Sequence, residues 1–164
     1  MRLLALDAST KSTGLALFED NKLLDYKCIT ASSTDIIKRI TKIIKELFEY
    51  IKQNPIDKVV LEEVRPETGT NLNTYRALMW MQAAIAFMLH ENFPRVKLEY
   101  VYPSEWRAAC GIKTGRGVLR AEQKKYDIQF VRDKYSIDVN DDIADAIGIG
   151  HAFVHHLDNE INWG

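Results

Sequence analysis

The sequence is poor in several features, and each scarcity excludes a class of protein. Only two cysteines, Cys28 and Cys110, occur in 164 residues, and they form no paired motif. That count excludes a disulfide-stapled scaffold and a zinc knuckle, and the thiols read as reduced groups of a cytoplasmic protein. No apolar run approaches the roughly 18–20 residues a membrane helix needs. The first residues do not read as a signal peptide, because Asp7 interrupts their apolar run. A net charge of −1 excludes recognition by gross positive charge and leaves room only for a local basic patch. What remains is ordinary, with 46% hydrophobic and 27% charged residues. The length suits a single domain over residues 1–164 with a full-sized core.

The chain is organised around the stretch from Arg2 to Phe18. Leu3 to Leu6 has the length and bounding of a buried strand and ends in Asp7. A polar turn over residues 9–13 follows, then Gly14 and a second apolar run, Leu15 to Phe18. A carboxylate closing a buried strand is costly unless something pairs with it, and a metal ion is one such partner. Asp7 can equally open a hairpin turn, a common use of Asp. A third strand over about residues 23–29 would complete three antiparallel strands.

Ser32-Ser33-Thr34-Asp35 supplies helix N-cap residues, and Ile36, Ile40, Ile43, Ile44, Leu47 and Ile51 recur at helical spacing until Pro55. Lys58 to Val64 reads as an interior strand that again ends in acid, at Glu62 and Glu63. A helix between two such strands implies a crossover and parallel pairing. Asp7 and Glu62 would then share one edge of the sheet, where open α/β sheets bind ligands. Glu63 would point the other way.

After a loop over residues 65–73, the helix over about residues 72–90 is apolar nearly all round. Such a helix is buried on more than one side, either within the core or against a second subunit. Residues 96–101 read as a fifth strand, and Pro103-Ser104-Glu105-Trp106 as a helix start with Trp106 in the core. The Gly-rich segment from Gly111 to Gly117 lacks Walker spacing. With Arg107, Lys113, Arg116, Arg120, Lys124 and Lys125 it makes this the most basic third of the chain, which suits phosphate contacts.

The last helix starts at Asn140, a good N-cap. Asp141 and Asp142 suit the helix dipole, but Asp145 needs another reason. Asp142 and Asp145 share one face among small and apolar residues, with Gly148 and Gly150 allowing close packing. His151 and His155 have a spacing that can bind zinc, without a third acidic ligand nearby. Four carboxylates thus stand out: Asp7, Glu62, Asp142 and Asp145. Oxygen ligands of that number suit a pair of Mg2+ or Mn2+ ions, which clamp an in-line displacement at phosphorus.

Asp7, the strand end Leu61-Glu62-Glu63 and the helix Asp142-Ile143-Ala144-Asp145-Ala146 together resemble the RuvC family of Holliday junction resolvases. More distantly they resemble the RNase H-like superfamily, and the short N-terminal motif is nearer to phage-type members. The resemblance implies an α/β fold: a five-stranded mixed sheet, three strands antiparallel and two parallel, flanked by helices. It implies a homodimer joined through the 72–90 helix, which nicks opposing strands of a four-way DNA junction and of other branched DNA. The ends would be 5′-phosphate and 3′-hydroxyl. The four acids would be the metal ligands and catalytic residues, with Lys124 as a further catalytic residue. Arg65, Arg76, Arg107, Lys113, Arg116, Arg120, Lys124 and Lys125 are the expected DNA contacts. Arg65 stands about where the main bacterial group has an aromatic residue, so junction opening and sequence preference are expected to differ. Two other readings share parts of the pattern. A nuclease for RNA–DNA hybrids would use the same metal chemistry, and a non-catalytic module would bind branched DNA without cutting it. A sugar-kinase-like phosphotransferase needs a second domain that this length does not hold.

Overall fold

The structure, a computed structural model, describes residues 1–66 and 71–157. The middle of the expected 65–73 loop and the tail from Asp158 lie outside the described residues. In chain order the elements are β1 (Arg2–Asp7), β2 (Ser12–Glu19), β3 (Lys22–Thr30), α1 (Ile36–Gln53), β4 (Lys58–Glu62), α2 (Leu72–Asn92), β5 (Lys97–Val101), α3 (Pro103–Ala109), α4 (Arg120–Tyr135) and α5 (Asp141–Ala152). A π-helical turn, Phe153–Leu157, follows α5.

The five strands form one mixed sheet in the order β3-β2-β1-β4-β5. β3, β2 and β1 pair antiparallel, whereas β1–β4 and β4–β5 are parallel. The expected sheet is therefore present, three antiparallel strands and two added in parallel.

Strand alternation sends side chains to two cores. Leu4 and Leu6 of β1 and Val59 and Leu61 of β4 face α1 and α2, against Ile43, Leu47, Met81 and Ile85. Leu3 and Ala5 of β1, Ala16 and Phe18 of β2 and Val60 of β4 face the other way, against Trp106, Val131, Ile147 and Ile149 of α3, α4 and α5. The same parity fixes the acids. Asp7 continues the Leu3–Ala5 row and Glu62 continues from Val60, so both belong to the face covered by α5. The last registered pair of β1 and β4 is Leu6 with Leu61, one residue short of Asp7 and Glu62.

α1 forms where its amphipathic pattern places it. Asp35 caps it by accepting hydrogen bonds from the Ile37 and Lys38 amides. α5 packs closest to the sheet because its contact residues are small. A Cβ on Gly148 would sit 2.5 Å from the Trp106 ring, and one on Gly150 would overlap the Phe18 ring. The strand expected to reach Val64 stops at Glu62, where the backbone leaves the ladder after Glu63 N–H bonds Val101 O at 2.8 Å. α2 is buried on one side only: Ala77, Met81, Gln82, Ile85, Met88 and Leu89 face the core. Leu72, Met79, Trp80 and Phe87 are exposed.

Candidate active site

Three elements bring acids to the carboxyl edge of β1 and β4. Asp7 and Glu62 arrive on strand ends, and the N-terminal part of α5 brings Asp142, in its first turn, and Asp145. Asn140 sets the start of α5 by accepting a hydrogen bond from Ile143 N–H at 2.9 Å. Gly14 lies opposite Asp7 in the β1–β2 register. A Cβ there would overlap the Asp142 carbonyl oxygen, so α5 can sit on the sheet at this point only because residue 14 has no side chain.

Side-chain donors reach three of the acids. Trp106 Nε1 donates to Glu62 Oε2 at 2.7 Å. The Ser12 hydroxyl donates to Asp142 Oδ2, and the Cys28 thiol stands 3.0 Å from that hydroxyl. Arg107 Nη2 reaches Asp145 Oδ2 at 3.5 Å. Arg107 itself is gripped by Asp127, with Nε 3.1 and 3.2 Å from the two carboxylate oxygens and Nη2 at 2.9 Å. Its guanidinium also lies over the Trp106 ring, 4.3 Å from the centroid. The main chain is equally fixed, since Gln82 Nε2 donates to Glu62 O at 2.7 Å.

The electrostatics record crowding of negative charge. Burial pushes the Asp7 carboxyl well above the usual carboxylate range, and the neighbouring Glu62 and Asp142 raise it further. Burial likewise raises Asp145, with Asp7, Asp127 and Glu62 adding to it while Arg107 opposes. Asp145 Oδ1 is buried and has no hydrogen-bond partner. Among the described residues, no three carboxylate, imidazole or thiol groups converge closely enough to hold an ion as they stand. Crowded carboxylates repel, and Glu62, Asp142 and Asp145 lean on neighbouring donors. The residues nonetheless fit a hard divalent cation: all four acids offer oxygen, an orphaned oxygen is already buried among them, and the raised proton affinity of Asp7 and Asp145 marks missing positive charge.

The basic residues are placed unequally. Lys113, Arg116, Arg120 and Lys125 are exposed, on the Gly-rich segment and α4. Lys124 pairs with Asp141, next to Asp142, and Asp141 raises its affinity for protons. Arg107 is turned inward to Asp127 and Asp145. The Arg65 guanidinium lies over the Tyr102 ring, 3.0 Å from its centroid, at the rim beyond β4. Arg76 lies over Trp80 on the exposed side of α2. His151, raised as a zinc ligand, is buried with Nδ1 2.7 Å from the Tyr135 hydroxyl, and burial pushes its pKa down to about 4.

Sequence reasoning missed Ser12, Gln82 and Asp127, and gave Trp106 only a core role. Asp127 carried a signal: it lies four residues before Val131, on the core-facing stripe of α4, where an acid needs a partner.

No protein-family model matches the chain, and no curated protein sequence matches it. Solved structures do. Thermus thermophilus RuvC in complex with a Holliday junction substrate superposes with a TM-score of 0.74 at 16% identity, covering 93% of this chain and 92% of that one. A Thermus thermophilus RuvC structure gives 0.70 at 17% identity, with the same coverage. The yeast mitochondrial Holliday junction resolvase gives 0.61 at 13%, covering 93% of this chain and 77% of that one. The fold is thus that of the RuvC-type resolvases, and the sequence resemblance carried by the four acids pointed to it. No helix among the described residues is long and apolar enough to cross a membrane.

Proposed function

We propose that this protein is a metal-dependent endonuclease that resolves four-way DNA junctions by paired nicking. The observation that carries the reading is the gathering of Asp7, Glu62, Asp142 and Asp145 at one sheet edge, with surplus negative charge and a buried, unpartnered oxygen on Asp145. The proteins of matching fold are named as Holliday junction resolvases, one of them bound to its junction, which supports DNA of that shape as the substrate.

The four acids hold the metal, two Mg2+ or Mn2+ ions per site. When bound there, such ions would supply activation of a water and stabilisation of the leaving 3′ oxygen, the chemistry that gives 5′-phosphate and 3′-hydroxyl ends. The chain's own residues do the rest. Ser12 and Trp106 fix the directions of Asp142 and Glu62. Lys113, Arg116, Arg120 and Lys125 hold backbone phosphates, and Lys124 sits beside the acids at the start of α5. Arg65 on Tyr102 offers a flat cationic face to the DNA where it passes the rim. Two opposed nicks need two sites, and the exposed apolar side of α2 supports a homodimer. The compartment we assign it is the cytoplasm of its cell, or of the host cell if it is phage-encoded.

The test is cleavage of a labelled four-way junction in Mg2+, wild type beside Asp7→Asn. Symmetric paired nicks that the variant does not make are the expected result. An RNA–DNA hybrid cut faster than the junction would turn the reading to hybrid-directed cleavage. Binding without any cleavage would turn it to a non-catalytic module.

A further inference from the structure

The site contains a fifth acid, Asp127, that none of the chemistry above uses. It is 1% exposed, the most buried carboxylate side chain in the ion pairs described above. Its two oxygens take three hydrogen bonds from Arg107. Gln123 Nε2 donates to Asp127 Oδ1 at 3.1 Å and to Lys113 O at 3.1 Å, tying the carboxylate to the basic loop. Arg107 is consequently shared unevenly between two acids. Nη2 lies 2.9 Å from Asp127 but 3.5 Å from Asp145, whose second oxygen has no partner at all.

We propose that Asp127 is a positioning residue that holds Arg107 back from Asp145 and so keeps Asp145 open to a divalent cation. The inference rests on the metal-binding reading of the four acids. An arginine beside a metal-ligating carboxylate is a competitor, because both cations seek the same oxygens. In this site a second carboxylate occupies the guanidinium fork. Arg107 then lowers the repulsion among the acids without closing a full ion pair on Asp145. Removing the charge of Asp127 leaves Asp145 as the nearest counter-charge of Arg107. The 3.5 Å contact closes, and the ion must displace an arginine to bind.

The test compares wild type with Asp127→Asn, which keeps the shape of the side chain. Mn2+ binding to the DNA-free protein is measured by electron paramagnetic resonance. Binding should weaken about tenfold, the lower end of the usual effect of residues that orient metal ligands. The Mg2+ concentration for half-maximal junction cleavage should rise by a similar factor, with the rate at saturating Mg2+ within about threefold. Adding Arg107→Gln to Asp127→Asn should restore Mn2+ binding, because the competitor is gone. A purely structural role predicts the opposite, a double variant worse than the single one. Gln123→Ala takes one donor from Asp127 Oδ1, which keeps its bond from Arg107 Nε, and cuts the tie to Lys113 O that holds the carboxylate in place. The loosened restraint on Arg107 should shift Mn2+ binding in the same direction by about two- to threefold, and this variant serves if Asp127→Asn does not fold. Unchanged Mn2+ binding in Asp127→Asn, or a double variant that binds no more tightly, overturns the proposal, as does a wild type that binds no Mn2+. A wild type that binds Mn2+ but cuts no junction overturns the junction reading alone.

Discussion

Gly14 of β2 lies directly beneath the carbonyl group of Asp142, with no room for a Cβ between them. This contact joins the sheet edge that carries Asp7 to the helix turn that carries Asp142. Gly14→Ala must therefore push α5 away from the sheet, since the obstacle is backbone and cannot rotate aside. Overpacking of this kind costs about 1–3 kcal/mol. We expect a lower melting temperature and, at temperatures where the variant is folded, a loss of cleavage larger than the loss of junction binding. Wild-type cleavage by a folded Gly14→Ala variant would mean that the seat of Asp142 does not matter.

Trp106 supplies Glu62 with an indole donor, Nε1 at 2.7 Å. Trp106→Phe keeps most of the ring that fills the space beside Gly148 and removes the N–H. A hydrogen bond to a charged group contributes about 1.5–3 kcal/mol, so stability should fall modestly. Cleavage should fall about 10- to 100-fold, the usual cost of losing a residue that orients a metal ligand. Junction binding without metal should stay as in wild type. Equal kinetics for Trp106→Phe and wild type would reduce Trp106 to packing.

Burial and crowding raise the proton affinity of Asp7 and Asp145 in the folded protein. Between the ordinary carboxylate value and their raised values, the folded state binds more protons than the unfolded chain. Stability without metal therefore falls as pH rises through that window. His151 works in the other direction: its pKa drops from 6.5 to about 4, so its contribution is lost as pH falls through that interval. Asp7→Asn removes the share of Asp7 in the first effect, lessens that of Asp145, and leaves the second. In a chelating buffer at pH 7.5 the variant should melt above wild type, and the gap should narrow as pH is lowered. Identical melting curves across the range would show that Asp7 carries no strained charge.

Much of this was legible in the sequence, for identifiable reasons. Strand parity and the crossover rule put Asp7 and Glu62 on one edge, and i, i+3 spacing put Asp142 with Asp145. Periodicity captured α1 and the small-residue packing of α5. The supporting residues were harder to read because each acts across the fold. Ser12 meets Asp142 over 130 residues of chain and Trp106 meets Glu62 over 44. Arg107 looked like a free phosphate contact because its partner, Asp127, is 20 residues away on another helix. Local patterns report which face is buried, and they are silent about which buried group a donor will find.

The proposed homodimer rests on the exposed side of α2. Phe87 is 71% exposed and Trp80 42%, with Met79 and Leu72 beside them in the same helix. A patch of this kind on a 21-residue helix marks a contact surface, and self-association through a two-fold axis is the commonest way to cover it. Phe87→Glu should convert a dimer into a monomer in sedimentation equilibrium. Because the side chain makes little contact within the chain, the stability of the monomer should change by no more than about 0.5 kcal/mol. The monomer should still nick, since each subunit holds its own four acids, but the two nicks in a junction should lose their coordination. On a supercoiled cruciform plasmid, nicked circles should then replace linear product. A Phe87→Glu protein that remains dimeric and linearises the plasmid would move the interface off α2.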